Sequence, residues 1–244
     1  KARLLKAKNS KGAEFIVVYG RRRVGKTYLV RETFDYHFDF YLTGIYNEPK
    51  QVQLKNFSSA LSEATGEKQA KPASWLDAFE QLKHALAKKL SHNSGKTVVF
   101  IDELPWLDTP RSSFLAAFES FWNGWGSAQK GLLLIVCGSS SSWIIKKIFR
   151  NKGGLYNRAT GRIFLEPFTL KETEEYLVSN GIQWSRYDVA ECYMAMGGIP
   201  YYLHQLDAHL SYTANLDRLF FERDGILSGE FKLLYETLFN HSSN

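Results

Sequence analysis

Residues 20–27 read Gly-Arg-Arg-Arg-Val-Gly-Lys-Thr, which fits G-x-x-x-x-G-K-T, and the string lies between an apolar run and the start of a helical pattern. Nothing else in the chain restricts its fold as much, because this spacing has a mechanism. Two glycines let the backbone wrap closely enough for its N–H groups to point at phosphate oxygens, and the following helix adds the positive end of its dipole. Lys26 then reaches the outer phosphates and the Thr27 hydroxyl faces a Mg²⁺ ion. Gly20, Arg21, Arg22, Arg23, Val24, Gly25, Lys26, Thr27 and the adjoining Tyr28 are the candidate nucleotide contacts. The alternative is a glycine turn that spells the motif by chance. The flank argues against it, since Glu-Phe-Ile-Val-Val-Tyr at 14–19 reads as a short buried strand that stops at Gly20.

A second element is Val-Val-Phe-Ile-Asp-Glu at 98–103, an apolar strand that delivers two carboxylates to its carboxyl end. Parallel sheets bind ligands at that edge. Asp102 is suited to hold the hydration shell of Mg²⁺ beside Thr27, and Glu103 to orient or deprotonate an attacking water. The bland reading is a pair of solvated acids. A built-in water base favours hydrolysis over a small-molecule kinase or a GTPase. The apolar run at 132–137 ends in Gly138-Ser139-Ser140-Ser141-Ser142. Ser139 is the nearest candidate to contact the outer phosphate or the water, although such serines also cap helices. Arg158 and Arg162 flank the entry to a strand at 162–165; Arg158 is taken to lie near the carboxyl edge, where it would stabilise transition-state charge in the same or a neighbouring subunit. A surface ion pair explains either arginine as well.

Strands are expected at 14–19, 39–43, 97–102, 132–137 and 162–165. Helices are expected at 26–34, 50–65, 74–90 with Ser74 as N-cap, from Ser112 and Ser113 to about 122, and at 141–149. This alternation implies a three-layer α/β fold of the P-loop NTPase kind, with a parallel sheet and right-handed crossovers. After Pro167 helical spacing takes over, with helices near 170–179, 186–196, 201–206 and 214–221, and an amphipathic stretch at 230–239. The expected organisation is an ATP-binding domain at 1–167, a helical subdomain at 168–226, and the start of a further domain at 227–244.

At 244 residues and 44% hydrophobic content the chain can bury a large core and is unlike disordered sequences. Its two cysteines, Cys137 and Cys192, form neither a disulfide framework nor a zinc spacing, which favours a reducing, cytoplasmic location. The longest apolar run, 132–137, is far short of the roughly 18 residues of a membrane span. The basic start, 1–11, reads as a solvated approach and lacks the apolar stretch of a signal peptide. Net charge is +6, which allows a nucleic-acid partner without demanding one. A chain that starts at Lys1 and stops soon after a new helix reads as a fragment.

These residues in this order resemble the archaeal-type predicted ATPase family, a STAND-like branch near the AAA+ ATPases and distantly similar to origin-recognition ATPases. The resemblance spans almost the whole chain. It rests on the residues around 19–27 and 100–103, on Gly138-Ser139-Ser140, on Leu155-Tyr156-Asn157-Arg158 leading into Ile163-Phe164-Leu165-Glu166-Pro167-Phe168, and on Gly197-Gly198-Ile199-Pro200-Tyr201-Tyr202-Leu203. It implies Mg-ATP as ligand, sheet order 5-1-4-3-2, a helical lid, and a winged helix beginning at 230–239 through which DNA is a possible partner. Related chains often carry an effector domain beyond the winged helix. It also implies that Gly198 and Pro200 meet the nucleotide base; from the residues alone, Gly-Gly-x-Pro is a helix stop and restart. Asn157 stands where the family usually has glycine. The function this suggests is a slow Mg-dependent ATPase acting as a nucleotide-controlled switch. The rivals are a DNA-associated loader or regulator and a small-molecule kinase.

Overall fold

The computed structural model describes residues 1–92, 95–150 and 153–230. They fall into two compact units, Lys1–Leu165 and Glu166–Asn244, the second described to residue 230. In the first, strands β1 (Glu14–Tyr19), β2 (Phe40–Thr43), β3 (Thr97–Asp102), β4 (Leu132–Gly138) and β5 (Gly161–Phe164) form one sheet. Every pairing is parallel, in the order β2-β3-β4-β1-β5. That is the expected 5-1-4-3-2 read from the other edge.

The sheet is covered on both faces because side chains alternate along each strand. Phe15 and Val17 of β1 join Val99, Ile101, Leu134 and Val136 in one core cluster, filled by helices α3 (Lys50–Thr65), α4 (Trp75–His92) and α6 (Phe114–Gly124). Ile16 and Val18 join Val98, Phe100, Leu133 and Ile135 in another, covered by α1 (Ala2–Lys8) and α2 (Lys26–Thr33). Central strands β3 and β4 are buried along their whole length, as their unbroken apolar runs require. The first face is heavily aromatic: Phe15 lies 5.2 Å from Trp122, and Trp75 is edge-on to Phe114 at 4.9 Å.

Three local differences from the sequence reading have physical reasons. Residues 1–11 are more than a solvated approach, because α1 sets Leu4 and Ala7 three apart and buries both against the sheet. A short α5 (Leu104–Leu107) precedes the helix expected to open at Ser112 and Ser113; that helix, α6, starts at Phe114 because Ser113 is left-handed (φ 57°) and serves as its N-cap. The expected helix at 141–149 divides into α7 (Ser141–Ile144) and a π-helical turn (Ile145–Phe149), which closes with Arg150 N–H donating to the Ile145 carbonyl and leaves Ile144, Ile148 and Phe149 all buried.

The second unit is helical among its described residues: α8 (Leu170–Ser179), α9 (Arg186–Met196), α10 (Pro200–Leu203) and α11 (Tyr212–Leu216), the last passing into a π-helical turn to Phe221. Thr169 and Glu172 form a capping box, and Leu177, Val189, Cys192, Met196, Leu203 and Leu219 belong to its own core. The winged-helix start expected at 230–239 lies, beyond Glu230, outside the described residues. Both cysteines are free and buried, and no described helix is long and apolar enough to cross a membrane.

Candidate functional site

The loop between β1 and α2 takes the conformations its glycines permit. A Cβ on Gly20 would collide with the Leu165 carbonyl, so only glycine lets β1 end beside the exit of β5. Gly25 is left-handed (φ 89°) at the N-cap of α2, and Arg23 is left-handed as well (φ 70°). No side chain caps α2, which leaves its first N–H groups free of a side-chain acceptor at the point where an anion is stabilised. Arg21, Arg22 and Tyr28 are exposed, Arg23 is half-buried and Val24 is buried.

Lys26 is only 5% exposed, and its Nζ donates to the Arg21 carbonyl at 2.8 Å. Burial lowers its pKa below the ordinary 10.5, opposed chiefly by the Glu103 carboxylate. The ammonium is thus an under-solvated cation, ready to gain from phosphate oxygens.

Thr27 Oγ1 donates to Asp102 Oδ2 at 2.7 Å, and Glu103 N–H donates to Asp102 Oδ1 at 3.0 Å. Burial raises the Asp102 pKa above the ordinary 3.8, and the Thr27 bond partly opposes it. With its one hydrogen committed to Asp102, the Thr27 hydroxyl keeps its lone pairs for a cation. A hydroxyl and a carboxylate are hard oxygen donors of the kind Mg²⁺ takes along with phosphate oxygens and waters, so these residues fit that ion. Among the described residues no cluster of His, Cys, Asp and Glu could hold a metal by itself.

Glu103 has left-handed backbone angles (φ 46°, ψ 49°). Its Oε2 accepts from the Ser139 N–H at 3.0 Å and from the Ser139 hydroxyl at 2.9 Å. Ser139 therefore engages the carboxylate; the N-cap of α7 is Ser140, which makes no side-chain cap bond. Lys26, Thr27, Asp102, Glu103 and Ser139 come together at the carboxyl edge.

Arg158 does not join them. β5 is parallel to β1 with Gly161 opposite Ile16, and Thr160 N–H donates to the Phe15 carbonyl, so the preceding loop arrives at the amino edge. A six-residue strand separates the two edges by roughly 16 Å, and the expected position near the carboxyl edge is corrected: a loop leading into a parallel strand must meet its amino end. Arg158 is exposed there. Asn157 is left-handed (φ 54°), a conformation asparagine tolerates, so the turn before Arg158 forms without glycine. Arg162 is held by Phe149, with its guanidinium carbon 4.2 Å from the ring centroid.

In the helical unit, Gly197 ends α9 left-handed (φ 64°) and Pro200 opens α10. Gly198 has a packing reason of its own: a Cβ there would collide with the Phe168 carbonyl and stand 2.9 Å from the Tyr193 ring. Two further residues of the first unit, Gly44 and Gln53, lie behind Glu103 and belong to no motif of the sequence. The available signal is Gln53 itself, a polar residue on the apolar stripe of α3 beside Leu54, Phe57 and Leu61.

The geometry carries a pH expectation. As pH falls, protonation of Asp102 removes the charge that would hold the metal, and the raised pKa starts this loss above 3.8. As pH rises, Lys26 loses its proton below 10.5. Mg-ATP affinity measured by calorimetry should therefore fall on both sides of neutrality. Asp102→Asn should remove the acidic arm together with most of the Mg²⁺ dependence; an acidic arm that survives would assign it elsewhere.

Over residues 2–206 the sequence matches a family described as an ATPase domain predominantly from Archaea. It is 29% identical over 238 residues to the uncharacterized protein MJECL04 of Methanocaldococcus jannaschii, covering 95% of this chain and 49% of that protein, so the chain spans about half the length of this relative. Among solved structures it is similar to the Walker-type ATPase PABY2304 of Pyrococcus abyssi, at TM-score 0.63 and 17% identity, over 97% of this chain and 74% of that one. It is also similar to the Aeropyrum pernix ORC2 protein, solved as ADPNP–ADP complexes, at TM-score 0.54 and 15% identity, over 89% and 66% of the two chains. At these identities the structural likeness concerns the fold.

Proposed function

The chain belongs to the family of ATPase domains found predominantly in Archaea, and from that membership we propose that it binds Mg-ATP and hydrolyses it slowly, as a nucleotide-controlled switch. The observation that carries this reading is the pairing of Glu103 with Ser139 beside the Thr27–Asp102 bond. Bound Mg²⁺ would neutralise charge on the phosphates. Lys26 and the N–H groups of the loop bind the phosphates, Thr27 and Asp102 would hold the metal through hydroxyl and carboxylate, and Glu103 accepts a proton from water. Both hydrogen bonds from Ser139 end on Oε2, which fixes the carboxylate and leaves Oε1 to take the proton from water.

The test is direct: purified protein incubated with Mg-ATP should release phosphate and retain ADP, and phosphate transfer to an added small molecule in place of water would move the reading to a kinase. Gly198 and Pro200 serve base recognition in this proposal, which rests on the family. A second reading, association with DNA through a segment following the helical unit, is favoured by the net charge of +6. It requires duplex binding that weakens steeply with salt, because true phosphate contacts release counterions.

Arg158, exposed at the amino edge, acts in this proposal on the nucleotide of a neighbouring copy. Arg158→Ala should then slow turnover by about 10³ with little change in affinity. Mixing it with Lys26→Ala protein should restore some activity, since each supplies what the other lacks. Absence of rescue, with turnover per folded molecule unchanged in Arg158→Ala, would leave Arg158 a surface residue.

A further inference from the structure

Gln53 of α3 is completely buried, and a buried primary amide persists only where partners replace its lost water. Its Oε1 accepts from the Ile45 N–H at 3.1 Å, while the two hydrogens of its Nε2 go to the carbonyls of Ile45 at 2.6 Å and Trp106 at 3.2 Å, with the Glu48 carbonyl at 3.4 Å sharing one of them. These bonds join two segments far apart in sequence. One is the loop leaving β2; the other is the turn that follows Glu103. Trp106 N–H in turn donates to the Glu103 carbonyl at 2.9 Å, so a single bonded path runs from the Gln53 amide to the backbone of Glu103.

Gly44 closes the turn from the β2 side. Its N–H donates to the Asp102 carbonyl at 2.9 Å. A Cβ there would stand 2.6 Å from the Glu103 carbonyl oxygen and 3.1 Å from Trp106 Cβ, so any larger residue would press on the turn. The left-handed backbone of Glu103 is strained and survives only where its surroundings over-determine it. The Gln53 bonds and the Gly44 contact are those surroundings.

We infer that Gln53 is a positioning residue for the hydrolytic carboxylate: by holding the Trp106 carbonyl it keeps the turn after Glu103 closed and Glu103 in the conformation that aims its carboxylate at Ser139. The inference rests on Glu103 being the base that activates water. The bonds of Gln53 go to Ile45, Glu48 and Trp106, away from the phosphate loop and Asp102, so its effect falls on the chemical step and leaves nucleotide binding alone. Misplacing a reacting group by about 1 Å can cost on the order of a hundredfold in rate.

The experiment uses five proteins: wild type, Gln53→Met, Gly44→Ala, Glu103→Gln and the double variant Gln53→Met/Glu103→Gln. Gln53→Met matches the amide in length while removing every bond it makes. Gly44→Ala disturbs the same turn without touching Gln53 and serves if Gln53→Met folds poorly. For each, Mg-ATP affinity is measured by calorimetry, single-turnover hydrolysis by phosphate release, and the folded fraction by thermal melting. Gln53→Met and Gly44→Ala should each lower hydrolysis per folded molecule about ten- to a hundredfold, and Gln53→Met, whose lost bonds lie away from Asp102, should keep Kd within about threefold of wild type. Adding Gln53→Met to Glu103→Gln should cause no further loss, because residues acting through one step do not add. An inactive Glu103→Gln beside a Gln53→Met and a Gly44→Ala that turn over within about twofold of wild type overturns the inference alone, as do losses that multiply in the double variant. A Glu103→Gln that hydrolyses at the wild-type rate removes the reading beneath it, and the inference falls with it.

Discussion

Lys26→Ala is expected to lose Mg-ATP binding by roughly thirtyfold to several-thousandfold, equivalent to the 2–5 kcal/mol that truncating one member of a buried charged pair typically costs. The magnitude follows from the surroundings of the ammonium. Lys26 is almost wholly buried, its Nζ donates to the neutral carbonyl of Arg21, and burial already lowers its pKa. In such a site a phosphate oxygen replaces a weak neutral acceptor with a charged one. The same depression sets a control. A lysine whose charged form is disfavoured by folding does little for stability at neutral pH, so the alanine variant should melt within about 1 kcal/mol of wild type. Calorimetry showing equal affinity in the two proteins would end the assignment of this loop to phosphate. A variant that fails to fold would instead show that the lysine stem is needed for packing.

Glu103→Gln should keep nucleotide affinity within a few-fold while single-turnover hydrolysis falls about 10²–10⁴-fold, the usual worth of a positioned general base. Both Ser139 bonds end on one oxygen, Oε2. An amide oxygen can accept both, so the substitution preserves the hydrogen bonds and the shape and removes the proton acceptor. This isolates the chemical step from the architecture. Phosphate release at the wild-type rate would make Glu103 a structural partner of Ser139 and would leave the switch without its chemistry.

What the sequence makes legible divides by range. The strands and most helices are legible because burial writes itself locally: Leu132–Gly138 is apolar throughout and Trp75–His92 repeats its apolar face every turn. The phosphate loop, Asp102 and Glu103 are legible for a related reason, since each sits at the end of an apolar strand. The partner of Ser139 is not, because the bond to Glu103 joins two strand ends 36 residues apart and serine caps helices as readily. Arg158 is misplaced by sequence reasoning although the expected parallel sheet already required the loop before its fifth strand to meet the amino edge, as the pairing of β5 with β1 shows. Gln53 and Gly44 escape it because their roles lie in contacts with the turn after Glu103, more than fifty residues on, and the polar break that Gln53 makes in an apolar stripe does not say what it contacts.

The pairing of β1 with β4 has a consequence for how the molecule assembles. Glu14 faces Leu133 across that ladder, about 120 residues downstream, and β5 joins the other side of β1 still later in the chain. A strand whose partners lie more than a hundred residues downstream cannot pair as it is made; it waits, apolar and unpaired, until they follow. Such non-local closure is slow and prone to aggregation. The loop after β1 is therefore among the last parts to gain a floor, and nucleotide added during refolding should raise the yield of native protein by trapping the closed sheet.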